Sequence, residues 1–179
     1  STSRGLGDVY KRQALAAASA AYVLGIPGKA VRQGLEGFFG AGRRFELKGQ
    51  YNGARIYDDY AHHPAELHAL LDMAKSLGYD RVICAFQPHT YTRTKALFED
   101  FVQELQIADV VVLTDIYAAR EQNTIGISSR DLADRIPNAY YCPSLRDAAE
   151  KLREIARAGD LIITVGAGDI YTVGEMLIS

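Results

Sequence analysis

The sequence predicts an α/β fold, namely a Rossmann-like three-layer sandwich with a mostly parallel sheet, preceded by a short helical segment. Residues 81–86, 109–114 and 160–165 are almost wholly apolar in their middles, which is typical of parallel strands covered by helices on both faces. Amphipathic helical segments alternate with these strands. Repeated strand–helix units favour right-handed crossovers within a single sheet.

The N-terminal segments are predicted to be helical and separate from the sheet domain. Residues 1–13 show no apolar periodicity and resemble a translated sequencing adaptor, so we expect them to be non-native and exclude them from fold reasoning. Residues 14–24 are rich in alanine and end at Gly25, a residue type favoured after a helix. A second short helix, followed by several glycines, completes a helical segment over residues 14–42. The main domain is then expected to span residues 43–179.

The main domain is predicted to begin with a hairpin and to continue with alternating strands and helices. Asn52-Gly53 favours a tight turn between the first two strands. The helices follow from apolar residues that recur every three to four positions. The expected strands are 45–47, 54–57, 81–86, 109–114, 139–141 and 160–165, and the expected helices are 64–77, 93–105, 128–135, 144–158 and 169–177.

Composition and charge exclude several classes of protein. A chain of 179 residues with 48% hydrophobic and 23% charged residues can build a globular domain with its own core. The formal net charge of −2 argues against a nucleic-acid partner. No apolar run approaches the roughly 20 residues that cross a bilayer, and no signal peptide is visible. Cys84 and Cys142 are expected to be reduced thiols in a cytoplasmic protein, and a disulfide or a catalytic role is the alternative.

Polar side chains follow two of the predicted strands, in the runs Asp58–Pro64 and Phe86–Thr94. Ligands of open α/β sheets bind beyond the carboxyl ends of the strands, so both runs are expected at one ligand site. Carboxylates can accept from ribose hydroxyls, imidazoles can bind a carboxylate, and Arg93 suits a carboxylate or phosphate. The alternatives are a helix N-cap by Asp59 with a pair of surface histidines for the first run, and a solvated loop for the second. A metal site is disfavoured because neighbouring histidines point apart on an extended backbone.

Two further strand exits and one arginine pair are candidates for the same site. The exits are residues 114–121, which are polar, and residues 166–170, a Gly-Ala-Gly turn before a helix. The second could bind phosphate or serve only as a tight turn. Arg43 and Arg44 lie at the predicted domain boundary, where they could reach a phosphate or form a solvated surface pair.

Taken together, these runs resemble the C-terminal domain of the muramyl ligase family, and within it the members that add L-alanine. The resemblance covers essentially residues 14–178, and the long run after residue 86 separates it from the related murein-tripeptide ligases. It implies that residues 14–42 are a helical remnant of the central ATPase domain and that residues 43–179 are the C-terminal Rossmann-like ligase domain. The resemblance rests on five motifs in family order: Gly42–Glu46, Asp58–Pro64, Phe86–Thr94, Asp115–Glu121 and Gly166–Ile170.

The resemblance implies ATP-dependent amide bond formation in peptidoglycan synthesis in the cytoplasm. ATP would phosphorylate the carboxylate of UDP-N-acetylmuramate, and the amine of L-alanine would attack the acyl phosphate, with Mg²⁺ offsetting phosphate charge. By this resemblance, Arg44 approaches the ATP phosphates and Asp59 the ribose. The residues implied to hold the alanine and the reacting end of the muramyl substrate are Tyr60, His62, His89 and Arg93.

The chain also departs from what the resemblance implies. It has no Gly-x-x-x-x-Gly-Lys-[Ser/Thr] phosphate loop, so ATP and Mg²⁺ are expected to bind chiefly to upstream ligase domains. We therefore expect the chain alone not to turn over. Relatives often have arginine where this chain has Thr90, so alanine recognition should rely more on Arg93 and His62.

Two other readings of the chain remain. It could be a free-standing nucleotide- or amino-acid-binding Rossmann-like module without catalysis. It could also be a stand-alone Rossmann enzyme such as a dehydrogenase. The dehydrogenase is disfavoured, since no Gly-x-Gly-x-x-Gly follows the first strand.

Overall fold

The computed structural model describes residues 4–38 and 42–179. The chain divides into two compact units, Ser1–Ala41 and Gly42–Ser179. The predicted boundary near residues 40–43 lies partly outside the described residues, and the assignment of the first unit to an ATPase domain stays a prediction. In the described ranges, no helix combines the length and the apolar character that a membrane crossing needs.

The first unit contains two helices, α1 (Arg4–Val23) and α2 (Gly28–Glu36). Gly25, with φ +69°, follows α1 in the left-handed conformation that commonly ends a helix. Helix α1 begins inside the segment predicted to be non-native, of which residues 1–3 lie outside the described range. The non-native origin of that segment stays a prediction.

The second unit is a six-stranded sheet with helices on both faces, which confirms the predicted fold class. The sheet order is β1-β2-β6-β3-β4-β5. Strand β1 pairs antiparallel with β2, and the other neighbours pair in parallel. The elements are β1 (Glu46–Tyr51), β2 (Ala54–Asp59), α3 (Pro64–Ser76), β3 (Arg81–Phe86), α4 (Tyr91–Ala96), α5 (Phe98–Leu105), β4 (Val110–Leu113), α6 (Ser129–Ala133), β5 (Ala139–Tyr141), α7 (Leu145–Ile155), β6 (Asp160–Val165) and α8 (Tyr171–Ile178).

The turn between β1 and β2 has the predicted chemistry. Asn52 has φ +49° and Gly53 has φ +79°, and two positive φ values are what a type I′ hairpin turn requires. Asparagine and glycine adopt this conformation at least cost. The Asn-Gly pair therefore sets the hairpin that starts the sheet.

The two helical layers bury opposite faces of the same strands. Leu161 and Ile163 of β6 belong to the core formed with α3, α5 and α6, whereas Ile162 belongs to the core formed with α7 and α8. Because β6 lies between β2 and β3, it is covered on both faces, and this explains its uninterrupted apolar sequence. The chain crosses over one face up to β5 and returns to β6 over the other.

One predicted helix is two helices in the structure. The expected helix over residues 93–105 begins earlier, at Tyr91, and is interrupted at Leu97, which has φ −113° and ψ 26°. The partly buried Leu97 side chain packs against the first core. Tertiary packing at this position therefore overrides the local helical pattern.

Candidate functional site

The carboxyl ends of β2, β6, β3 and β4 lie side by side at one edge of the sheet. Asp59 pairs with Val165, Phe86 pairs with Val165, and Phe86 also pairs with Leu113. The last residues of all four strands are therefore in register, and the segments that follow them are neighbours. We call these segments the β2 exit (residues 60–63), the β3 exit (87–94), the β4 exit (114–121) and the β6 exit (166–170).

The predicted substrate-binding residues come together at this edge. The ring centroids of Tyr60 and His62 are 5.5 Å apart, and those of His62 and His89 are 6.1 Å apart. His89 in turn stacks on Tyr117, at 5.5 Å between centroids. Burial lowers the pKa of His89, and the charge of the nearby Arg93 lowers it further. Side chains from three separate exits thus share one location.

Two polar atoms of this cluster are buried without a partner among the described residues, His89 Nδ1 and Arg93 Nη1. Burial, together with the positive charge of Arg93, lowers the pKa of His89 and favours its neutral form. Buried donors and acceptors are almost always paired in folded proteins. The two unpaired nitrogens of this cluster are therefore candidates for hydrogen bonds to a ligand.

The β3 exit is bonded firmly to the β4 exit. The N–H of Thr90 donates to Tyr117 O at 2.9 Å, and the N–H of Tyr117 donates to Pro88 O at 2.8 Å. Glu121 accepts from both the backbone N–H of Thr92, at 3.0 Å, and its hydroxyl. These bonds fix the backbone that carries the unpaired imidazole and guanidinium.

Thr90 lies between the site histidine and helix α4 in a strained conformation. Its φ of 67° and ψ of 141° are disfavoured for a β-branched residue. Its carbonyl accepts from the hydroxyl of Thr94 at 2.7 Å, which helps to hold it there. Backbone strain of this kind persists only where the surrounding structure imposes it, and it is concentrated at functional sites.

Asp59, the predicted ribose-binding residue, also has a structural role that the sequence did not reveal. Its Oδ2 accepts from the N–H of Phe45 and its Oδ1 from the N–H of Ala61, both at 2.8 Å. Burial raises the pKa of Asp59, against these two bonds and the charge of Arg44. The carboxylate connects the start of β1 to the β2 exit, and contact with a ribose stays a prediction.

Arg44, predicted to approach the ATP phosphates, is exposed and held between two left-handed residues. Arg43 has φ +57° and Phe45 has φ +44°. The Arg44 guanidinium carbon lies 5.8 Å from the centroid of the Tyr60 ring. Arg44 therefore sits beside the aromatic cluster on a constrained backbone, and its contact with phosphate stays a prediction.

Arg43 does not form a solvated surface pair with Arg44, although the two are adjacent in the sequence. Its Nε donates to Asp58 at 2.8 Å, its Nη2 to Gly166 O at 2.6 Å, and its Nη1 to Gly168 O at 3.0 Å. The guanidinium also lies 4.8 Å from the Tyr171 ring centroid. Arg43 therefore connects the start of β1 to β2 and to the β6 exit.

The β6 exit is a tight turn packed against Gln87, in agreement with the simpler of the two readings of its Gly-Ala-Gly sequence. Gln87 Nε2 donates to Asp169 at 2.8 Å, and Gln87 Oε1 accepts from the N–H of Ile170 at 3.2 Å. A Cβ on Gly168 would lie 2.3 Å from Gln87 Oε1 and 2.8 Å from the Tyr117 ring. This close approach requires glycine.

Sequence reasoning missed Gln87 and Glu66, and one of them had a readable signal. Glu66 lies three residues after His63, the spacing of a capping box, and the structure contains that box at the start of α3. The N-cap of α3 is therefore His63, and the alternative that placed Asp59 there is wrong. Gln87 lies in the predicted polar run Phe86–Thr94, but no sequence pattern distinguishes it from the other polar residues there. Among the residues that the structure describes, no group of three or more His, Cys, Asp or Glu side chains is placed to hold a metal ion.

Comparison with known proteins points to one family. Residues 43–168 match the family described as Mur ligase, glutamate ligase domain. UDP-N-acetylmuramate–L-alanine ligases from Agathobacter rectalis and Acetivibrio thermocellus are 50% and 48% identical over 169 residues, which cover 92% of this chain and 37% and 36% of those proteins.

A solved structure extends this comparison. The crystal structure of a UDP-N-acetylmuramate–alanine ligase from Thermotoga maritima has a TM-score of 0.71 at 27% identity, covering 92% of this chain and 36% of that one. The chain thus spans little more than a third of the length of the relatives it matches.

Proposed function

The chain belongs to the Mur ligase family, and from this membership we propose that it is the C-terminal domain of an ATP-dependent ligase that joins L-alanine to UDP-N-acetylmuramate. The domain acts in peptidoglycan synthesis in the cytoplasm, as part of a longer enzyme. Upstream domains supply the phosphate loop that this sequence lacks. The chain alone contributes half of the active site and does not turn over.

The observation that carries the proposal is the pair of unpartnered buried atoms, His89 Nδ1 and Arg93 Nη1. Leaving such groups unpaired costs on the order of 1–3 kcal/mol each, and a carboxylate ligand satisfies a guanidinium in particular. An amino acid has such a carboxylate. The same groups are also positioned to bind the reacting end of the muramyl substrate, whose carboxylate becomes the acyl phosphate.

The remaining roles divide between the nucleotide and the substrate. Arg44 is the described residue that best fits the ATP phosphates, since its guanidinium is exposed beside the cluster. Asp59 approaches the ribose with the lone pairs that its two backbone bonds leave over. Tyr60 and His62 complete the substrate side. When bound, Mg²⁺ offsets the phosphate charge, and we place it and most of the ATP contacts on the upstream domains.

The domain contributes to the rate by orientation. Holding two reactants in a productive geometry can account for a large part of the barrier reduction in a bimolecular step. The bonds between the β3 and β4 exits keep His89 and Arg93 fixed before the ligand arrives. Little binding energy is then needed to order the site.

The proposal is tested by exchanging domains with a relative. In the Agathobacter rectalis ligase, residues 43–179 of this chain replace the matching region, and ADP release is measured with and without each substrate. We expect release that requires both L-alanine and UDP-N-acetylmuramate. A folded hybrid that binds ATP but shows no alanine-dependent release would overturn the proposal.

Arginine variants of the hybrid test the assignment of the substrate side. Arg93→Ala should weaken alanine use by about 2–5 kcal/mol, as expected for losing a buried charge partner, while ATP binding changes little. Arg55→Ala is the matched control, because Arg55 is exposed near the opposite end of β2. Equal losses for alanine and ATP in the Arg93 variant would contradict its role.

The isolated 179-residue chain tests the need for upstream domains. We expect no phosphate release that depends on ATP and alanine from the purified chain. Detecting such release would show that the chain holds a complete active site.

A further inference from the structure

A carbonyl and a carboxylate near the His62 imidazole determine which of its two nitrogens carries the proton. Its Nδ1 lies 3.0 Å from the backbone oxygen of Tyr60 and 3.5 Å from Oε2 of Glu66. A carbonyl oxygen can only accept. Nδ1 must therefore be the donor, provided that Glu66 is ionised.

Glu66 is held in its ionised form by the backbone of the β2 exit. Partial burial favours the neutral acid, but hydrogen bonds from the N–H groups of His62, at 2.9 Å, and His63, at 3.3 Å, lower the pKa of Glu66 below its ordinary value. Both acceptors near Nδ1 thus lack a proton to give. In the neutral His62 ring the free lone pair is on Nε2.

The charges around the two site histidines suit them to different tasks. The carboxylate of Glu66 lies 3.5 Å from His62 Nδ1, on the side of the ring that donates. An added proton on His89 faces Arg93 and His62, and burial and these charges lower the pKa of His89 even though Glu121 opposes them. His89 is therefore suited to act as a neutral hydrogen-bonding group, whereas the Nδ1-protonated tautomer of His62 presents the lone pair of Nε2 as a proton acceptor.

The proposed reaction requires a proton acceptor at this place. The amine of an α-amino acid is protonated at neutral pH, and an ammonium has no lone pair with which to attack. A positioned base contributes on the order of 10²- to 10⁴-fold to such a step. The base must lie where the amine enters, and by the proposed function His62 is one of the residues that bind the substrate.

We propose that His62 is the general base for the incoming amine, an inference that rests on the proposed function. Nε2 removes one proton from the ammonium of the amino acid. The freed lone pair forms the C–N bond at the acyl carbon, and the bond from that carbon to the phosphate oxygen breaks, so that its electron pair leaves with the phosphate. The second surplus proton on nitrogen goes to the departing phosphate.

The first test measures the tautomer in the chain itself and does not depend on any activity. Nitrogen-15 NMR of the histidine-labelled chain should show neutral His62 protonated at Nδ1 and unprotonated at Nε2. Glu66→Gln should reduce the population of that tautomer without abolishing it, because the Tyr60 carbonyl remains. Finding neutral His62 protonated at Nε2 would overturn the assignment.

The second test separates proton removal from substrate binding, using the domain-exchange hybrid. His62→Gln should lower kcat with L-alanine on the order of 10²- to 10⁴-fold, yet leave phosphate release with hydroxylamine nearly unchanged, because hydroxylamine is largely unprotonated at neutral pH. His63→Asn is the control, since asparagine also caps a helix, and it should retain full turnover.

Two outcomes would overturn the role of base. One is an equal loss of turnover with both nucleophiles, and the other is a rise in KM for alanine with kcat unchanged. An unsubstituted hybrid that turns over neither nucleophile would instead count against the proposed function. The failures of the two proposals are therefore distinguishable.

Discussion

Replacing Arg43 with alanine should destabilise the Gly42–Ser179 unit far more than replacing its neighbour Arg44. Arg43 donates to the Asp58 carboxylate and to the carbonyls of Gly166 and Gly168. Its removal leaves three acceptors without these donors, and all three residues are buried. Arg44 makes no hydrogen bond to another described residue, so its removal should change little.

The size of the effect follows from the burial of the partners. Breaking a buried ion pair by removing one member costs about 3–5 kcal/mol, because a charge is left uncompensated. The Asp58 side chain is fully buried, but the Arg43 side chain is 22% exposed, and Asp58 keeps the hydroxyl of Thr164 at 2.7 Å. We therefore expect a loss near the lower end, about 3 kcal/mol for Arg43→Ala. Arg44→Ala should stay within about 0.5 kcal/mol.

Urea denaturation followed by circular dichroism measures both variants against the parent chain. In thermal denaturation, the same loss of stability in Arg43→Ala corresponds to a fall in Tm of roughly 6–12 °C for a chain of this size. Arg43→Lys should be intermediate, because lysine keeps the charge but has no planar fork to reach several acceptors. Free energies of unfolding that agree within about 0.5 kcal/mol for Arg43→Ala and Arg44→Ala would refute the structural role of Arg43.

Three further results are expected in the isolated chain. Gly53→Ala should lower the free energy of unfolding by about 1–3 kcal/mol more than Gly78→Ala. Both glycines have φ +79°, but only a Cβ on Gly53 would lie 2.9 Å from Ala158 Cα. Equal urea midpoints for the two variants would contradict this steric argument. Folding lowers the pKa of His89, so the parent chain should lose stability relative to His89→Asn as the pH falls below about 6.5. Urea titrations at pH 5–7.5 measure this difference. Parallel stability curves for the two proteins would argue against the lowered pKa. Burial raises the pKa of Cys84 to about 12, so Ellman's reagent should modify Cys84 only after denaturation, and rapid native modification would disprove its burial.

Much of the fold could be predicted from the sequence because its signals are local. The apolar runs 81–86 and 160–165 are strands with the predicted bounds, since burial on both faces requires a continuous apolar segment. The Asn-Gly turn is equally local, because its two residues alone can adopt the conformation cheaply. The helix break at Leu97 was not predictable, because it depends on packing against a core formed by distant residues.

For the candidate site too, some features could be predicted from the sequence and others depend on tertiary structure. The residue types and their positions after parallel strands were enough to place Tyr60, His62, His89 and Arg93 at one edge, because parallel strands end on the same side of a sheet. The sequence could not distinguish Arg43 from Arg44, which are adjacent and chemically identical.

Only the folded chain directs one guanidinium inward to Asp58 and leaves the other beside the site. Likewise, the tautomer of His62 depends on a carbonyl and a carboxylate that the turn before α3 brings to its Nδ1. Hydrogen bonding and burial act through space at distances of a few ångströms. For that reason composition and order along the chain identified the chemical groups, and tertiary contacts alone decided which of them support the fold and which remain available to a ligand.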